Sequence, residues 1–188
     1  MQWLINNWAK IGSVMAVAIL SYLFFNPQGI SKLESLLWIH FTTLLIHQFE
    51  EYVFPGGFKD FFNKDIYNKN PIIRSPLTDN GVLFVNIGLG WSAYLYSAFQ
   101  GISTVWLAIG LCLVTIFNGA LHTILMLLKG KYNPGALSSI LLMIPFGIYL
   151  MNELLKLEDV NNPGSGIVVF VVAIILIPVG ISMTSKIK

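Results

Sequence analysis

Residues 30–54 read ISKLESLLWIHFTTLLIHQFEEYVF, a run long enough to cross the hydrocarbon core of a bilayer as a helix, which takes about 20 residues. One end carries His47, Gln48, Phe49, Glu50 and Glu51, an imidazole and two carboxylates within about one helical turn. Holding ionisable groups in lipid costs at least ~2.5 kcal/mol each on the mildest insertion scale. A chain that keeps them in such a segment marks a functional site. Positions three and four apart share a helical face, while adjacent ones diverge by about 100 degrees. His47 therefore neighbours both Glu50 and Glu51, and the two carboxylates point apart. His40 and Thr43 extend the polar stripe; His40, nearer mid-membrane, reads as a packing residue rather than a ligand.

The rest of the chain repeats this apolar character. Hydrophobic residues make up 55% of the 188 and charged residues only 11%, with mean hydropathy +0.72; a soluble domain of this size needs more charge to cover its surface. Six apolar segments stand out: 8–25, 30–54, 81–100, 102–128, 135–155 and 166–184. Clusters of turn-forming residues separate most of them, at Asn26-Pro27-Gln28-Gly29, Phe54-Pro55-Gly56-Gly57, Tyr132-Asn133-Pro134-Gly135 and Asn161-Asn162-Pro163-Gly164. Only Gln100-Gly101 divides the third segment from the fourth, which requires a tight connection. Lipid leaves backbone groups no partner but each other, so the spans are helical. The expected architecture is all-α: one transmembrane helical domain over residues 1–188 with about six spans. Pro145 and Pro178 fall inside spans and predict bent helices. The first segment lacks a basic region and a small-residue cleavage site, and reads as a permanent span rather than a signal peptide.

Charge sets the expected orientation. In a six-span arrangement Lys10, Lys59, Lys64, Lys69, Arg74, Lys129, Lys131, Lys186 and Lys188 share one side, against Lys32 and Lys156 on the other. Basic residues accumulate on the cytoplasmic side, so both termini are expected there, in the plasma (inner) membrane of a prokaryote. Between residues 58 and 79 lies the one extended polar stretch. Its Phe58, Phe61, Phe62, Ile66 and Tyr67 recur at near-helical spacing, which suits a short helix lying in the interface, either as a plain connector or as a lid. Cys112 is the lone cysteine and excludes an intrachain disulfide. Phosphate-cradling glycine loops, cysteine-rich metal knuckles and basic aromatic patches are missing, which argues against nucleic-acid binding.

A second polar pair, Asn118 and His122, lies four residues apart on the fourth segment and shares a face. The second and fourth segments both run toward the cytoplasm. His47 precedes Pro55 by eight residues, and His122 precedes Lys129 by seven. At about 1.5 Å per residue both imidazoles lie roughly 10 Å inside the same face, and Asn86 arrives at a comparable level. One shared site follows. Glu50 and Glu51 also sit in the last turns of a helix, where the macrodipole disfavours acids by about 0.3–1 kcal/mol each, and a bound divalent cation relieves dipole, repulsion and burial together.

The run HQFEEY followed by FPGGF, with NGALH and YNPG downstream, resembles the HXXEE-motif family of small polytopic membrane proteins, from about His40 to Pro134. That resemblance implies a helical integral membrane protein whose defining residues are His47, Glu50 and Glu51; it carries no established activity.

Zinc commonly takes imidazoles and a carboxylate and leaves one position open. The order His, two residues, Glu and an adjacent ligand also resembles the inverzincin pattern, with Glu51 where that motif has its second histidine. On that likeness a divalent metal, zinc by preference, is held by His47, Glu51 and His122. Glu50 then accepts a proton as the general base, and Asn118 or Asn86 orients a ligand or donates to a developing oxyanion; Glu50 and Glu51 are interchangeable in these roles. Glutamate-type intramembrane prenyl-protein endopeptidases are similar in residue types, but carry an arginine where this chain has Pro55. The expected function is a metal-dependent hydrolase of membrane-embedded or lipid-like substrates. A proton- or ion-coupled transporter is the alternative, and a non-enzymatic membrane scaffold the third reading.

Overall fold

The computed structural model describes residues 2–69, 75–157 and 164–186, and among them every regular element is helical. The principal helices are α1 (Gln2–Phe25), α2 (Lys32–Tyr52), α3 (Phe58–Phe61), α4 (Asp79–Leu83), α5 (Ser92–Gln100), α6 (Val105–Lys129), α7 (Ala136–Ser138), α8 (Ile144–Leu155) and α9 (Gly164–Thr184). π-Helical turns, Phe84–Trp91 and Ser139–Met143, join α4 to α5 and α7 to α8. Residues 70–74 of the expected interfacial segment, with Arg74, lie outside the described residues. So do Asn161 to Pro163 and Lys188.

Local chemistry fixes the ends. Ser31 caps α2 in a reciprocal box: its hydroxyl accepts from the Glu34 N–H at 3.2 Å while the Glu34 carboxylate accepts from the Ser31 N–H at 3.0 Å. Gly101 ends α5 at φ 55, a left-handed φ that glycine reaches without steric strain, and the chain folds back there. The Tyr94 hydroxyl consequently reaches the Leu111 carbonyl at 3.3 Å and the Thr115 hydroxyl at 2.6 Å. Pro145 has no N–H to offer the preceding turn, and the π-helical turn Ser139–Met143 directly before it absorbs the broken ladder.

Cross-helix contacts give the directions. Trp8 stacks on Tyr52 at 5.0 Å between centroids, and Gly12 faces Leu45, so α1 and α2 are antiparallel. His40 bonds to Thr115 at 2.8 Å and His47 to Asn118 at 3.1 Å, so α2 and α6 run parallel, as the depth estimate requires. Gly119 lies against Ile144 and Gly147 against Ile116, which sets α8 antiparallel to α6. Gly110 and Gly166 let α6 and α9 approach backbone to backbone: a methyl group added at Gly110 would stand 2.8 Å from the Gly166 carbonyl oxygen.

Among the described residues, four helical runs are long and apolar enough to cross a membrane: Gln2–Phe25, Asp79–Lys129, Ala136–Leu155 and Gly164–Thr184. The second, 51 residues long, turns back at Gly101. The expected count of six spans therefore does not emerge from length and apolarity, and α2 is the helix that falls short. Its polar residues His40, Thr42, Thr43, His47, Gln48, Glu50 and Glu51 are all buried, because α2 is wrapped by its neighbours. A helix that presents its side chains to protein rather than to the exterior has no need of an apolar surface. By contrast the outward faces of the bundle carry Val14, Val17, Phe24, Phe99, Leu127, Leu141, Val168 and Ile175, all exposed.

Candidate metal centre

His47 and Glu51 are one helical turn apart on α2, and His122 meets them from α6. Glu51 Oε1 lies 3.7 Å from His47 Nε2 and 3.3 Å from His122 Nε2, and the three donor atoms all fall within 4.8 Å of one another. All three residues are buried. Zinc bonds of about 2.0–2.1 Å at tetrahedral angles place ligand atoms about 3.3–3.4 Å apart, so the donor set and its spacing fit a small divalent cation. The imidazole planes stand at 89° with centroids 4.8 Å apart, which turns both Nε2 atoms toward one carboxylate oxygen without stacking the rings.

The His47 tautomer follows from its partners. Ser138 Oγ donates to the Gly135 carbonyl at 3.2 Å, so its lone pair is free to accept from His47 Nδ1–H at 2.9 Å. Asn118 Nδ2 donates to His47 Nε2 at 3.1 Å, which requires a lone pair there. Both bonds put the proton on Nδ1 and the lone pair on Nε2, the nitrogen facing Glu51, where a bound metal would take the place of the Asn118 N–H. On the other ring, Asn133 Nδ2 donates to the His122 carbonyl at 3.1 Å, while His122 Nδ1 and Asn133 Oδ1 are buried and have no hydrogen-bond partner among the described residues.

Glu50 is placed differently from Glu51. Among the described residues neither of its oxygens bonds an imidazole. Instead Oε1 accepts from the backbone N–H groups of Gly135 and Leu137, each at 3.0 Å, and from the Tyr132 hydroxyl, while Oε2 accepts from the Ser138 N–H at 2.6 Å. Burial and this bond hold the Tyr132 phenol above its ordinary range, so it remains a donor. The expected dipole penalty on Glu50 is met by this helical terminus rather than by a cation. Asn86 also faces away from the cluster: it accepts from Gln48 Nε2 at 3.0 Å, and Gln48 Oε1 accepts from Trp91 Nε1 at 2.7 Å. Gln48 follows His47 by one residue and so points about 100 degrees away, carrying Asn86 with it. His40 pairs with Thr115, which also bonds Tyr94, a packing network distinct from the cluster.

Gly135, Ser138 and Tyr132 are site residues that sequence reasoning missed, whereas Phe58 belongs to the segment read as either a connector or a lid. The YNPG cluster was legible as a turn and as part of the family resemblance, but not as part of the site. Gly135 stands at φ 99, and a methyl group there would lie 2.7 Å from Cε1 of both His47 and His122. Phe58 covers His122 with ring centroids 5.0 Å apart and also touches Tyr52 at 6.1 Å. Beyond Tyr52 opens a cleft of about 470 Å³ lined by Trp8, Val53, Gly57, Lys59 and Asp79 among others.

The segment bearing Phe58 continues helically to Lys69 and is tethered by Asp65, which pairs with Lys69 at 2.8 Å and with Lys131. Hydrogen bonds from Lys131 and then Lys69 hold the Asp65 carboxyl at about 2, below its ordinary 3.8. A carboxyl depressed on folding contributes stability that is complete above about pH 4 and lost as pH falls toward 2. Amide exchange over residues 58–69, corrected for intrinsic rates, is therefore expected to accelerate below about pH 4; in Asp65→Asn it should be fast at all pH values and lack this step.

An apolar-faced helical bundle enclosing a buried His–Glu–His cluster defines the class of this protein. Residues 38–150, more than half of the chain, match the family described as "Protein of unknown function with HXXEE motif", and the chain belongs to that family. No curated protein and no solved structure matches it.

Proposed function

We propose that the protein is an integral membrane metalloprotein whose His47, Glu51 and His122 hold one divalent cation, zinc by preference, and that it acts as a hydrolase on a membrane-embedded or lipid-like substrate. The observation that carries this reading is the convergence of three buried metal-type donors from two helices, at ligand spacing, in a bundle with an apolar exterior. Two imidazoles and one carboxylate leave a fourth position of a tetrahedral ion open, and such an ion supplies Lewis acidity toward a carbonyl or phosphoryl oxygen.

The chain's own groups have definable tasks. Ser138 orients His47 through Nδ1, and Asn118 holds the Nε2 lone pair that a metal would take over. Phe58 covers His122 and shields it from bulk water, at the end of the bundle that carries the expected cytoplasmic charges Lys59 and Lys131. That charge pattern supports cytoplasmic termini; a plasma-membrane location in a prokaryote is part of the same proposal.

Elemental analysis of the purified protein in detergent tests the reading. About one equivalent of zinc or a similar ion is expected, lost in His47→Ala and in His122→Ala. Proton or solute flux through proteoliposomes made from metal-free protein would instead establish the transporter.

A further inference from the structure

The geometry points to a division of labour within the HxxEE motif: Glu51 faces the cation, while Glu50 is a positioning residue that acts on His47 through the loop 132–138. This rests on the metal-centre reading above and assigns Glu50 a task other than proton transfer.

The helical run Ala136–Leu155 begins with Gly135 at its N-cap, which has no side chain to satisfy the first N–H groups. Such a terminus presents unpaired donors and partial positive charge. Glu50 supplies the missing acceptor from another helix, taking the N–H groups of Gly135, Leu137 and Ser138 and the Tyr132 hydroxyl. Three donors converge on Oε1, which leaves it no lone pair to spare, and a fourth holds Oε2. The same Ser138 whose N–H is held by Glu50 accepts from His47 Nδ1–H with its hydroxyl. Gly135, held by the same carboxylate, lies against the Cε1 edges of both imidazoles. One carboxylate thus sets the hydrogen-bond partner of one ligand and the packing floor beneath two.

Outer partners of this kind typically change metal affinity by about 10–100-fold when removed. The test is cobalt(II) binding to purified full-length protein, reading the dissociation constant by chelator competition and the ligand-field spectrum. Glu50→Gln replaces one acceptor oxygen with an N–H₂ group that opposes a backbone donor. It is expected to weaken cobalt binding by about 10–100-fold and to alter the spectrum. Ser138→Ala should do the same, and Ser138→Thr, which keeps the hydroxyl, should restore the parent's affinity and spectrum. Should Glu50→Gln fail to fold, the serine pair carries the test. Parental affinity and spectrum in both Glu50→Gln and Ser138→Ala would overturn the inference while leaving the metal centre intact. A parent protein that binds no cobalt overturns both.

Discussion

Gly135→Ala is expected to destabilise the protein by about 3–5 kcal/mol and to abolish metal binding. Two effects combine. A non-glycine residue at φ 99 carries backbone strain of about 1–3 kcal/mol. The new methyl group would also stand 2.7 Å from both imidazole Cε1 atoms and 2.8 Å from His122 Nδ1, distances that force the rings or the loop to move. Neither ring can yield easily, since each is enclosed in the bundle with its Nε2 directed at Glu51. Gly130 provides the control, because it has positive φ (60) but no described residue within 4 Å of an added methyl group. Gly130→Ala should therefore cost only the backbone term of about 1 kcal/mol and retain its metal. Thermal unfolding of both variants in detergent separates the two contributions; equal losses would show that the imidazoles do not depend on the space at Gly135.

That dependence explains what could and could not be read from the chain. Helix limits were legible because prolines and glycines interrupt apolar runs: segments expected at 30–54, 102–128 and 135–155 correspond to α2, α6 and the run Ala136–Leu155. The meeting of His47 with His122 was legible because periodicity fixes each face and residue count fixes depth along parallel helices. The role of the YNPG loop was not. Glu50 reaches its partners across 82 to 88 residues of chain, and no local pattern encodes a carboxylate that completes the N-terminus of a distant helix. Hydropathy failed at α2 for a related reason: burial inside protein, unlike burial in lipid, permits polar side chains provided each finds a partner. The polarity that removes α2 from the apolar runs is the same polarity that builds the site.

Glu51→Gln is expected to remove metal binding while leaving the metal-free protein as stable as the parent, or more stable by about 1–2 kcal/mol. The carboxylate lies buried against two imidazole nitrogens at 3.3 and 3.7 Å, and in the absence of a cation its charge has little compensation there. An amide of the same shape can still exchange hydrogen bonds with both rings but carries no charge to desolvate. With metal present the order reverses. The parent gains about 4 kcal/mol at a free metal concentration a thousand times its dissociation constant, whereas Glu51→Gln gains nothing. Unfolding of both proteins with and without zinc should thus show the variant at or above the parent in chelator and well below it in zinc. A parent that does not respond to zinc, or a variant that responds equally, would remove Glu51 from the ligand set. On the metal-centre proposal the predicted crossing follows from one physical cause: a site kept ready for a cation would hold a buried charge that the fold alone does not neutralise.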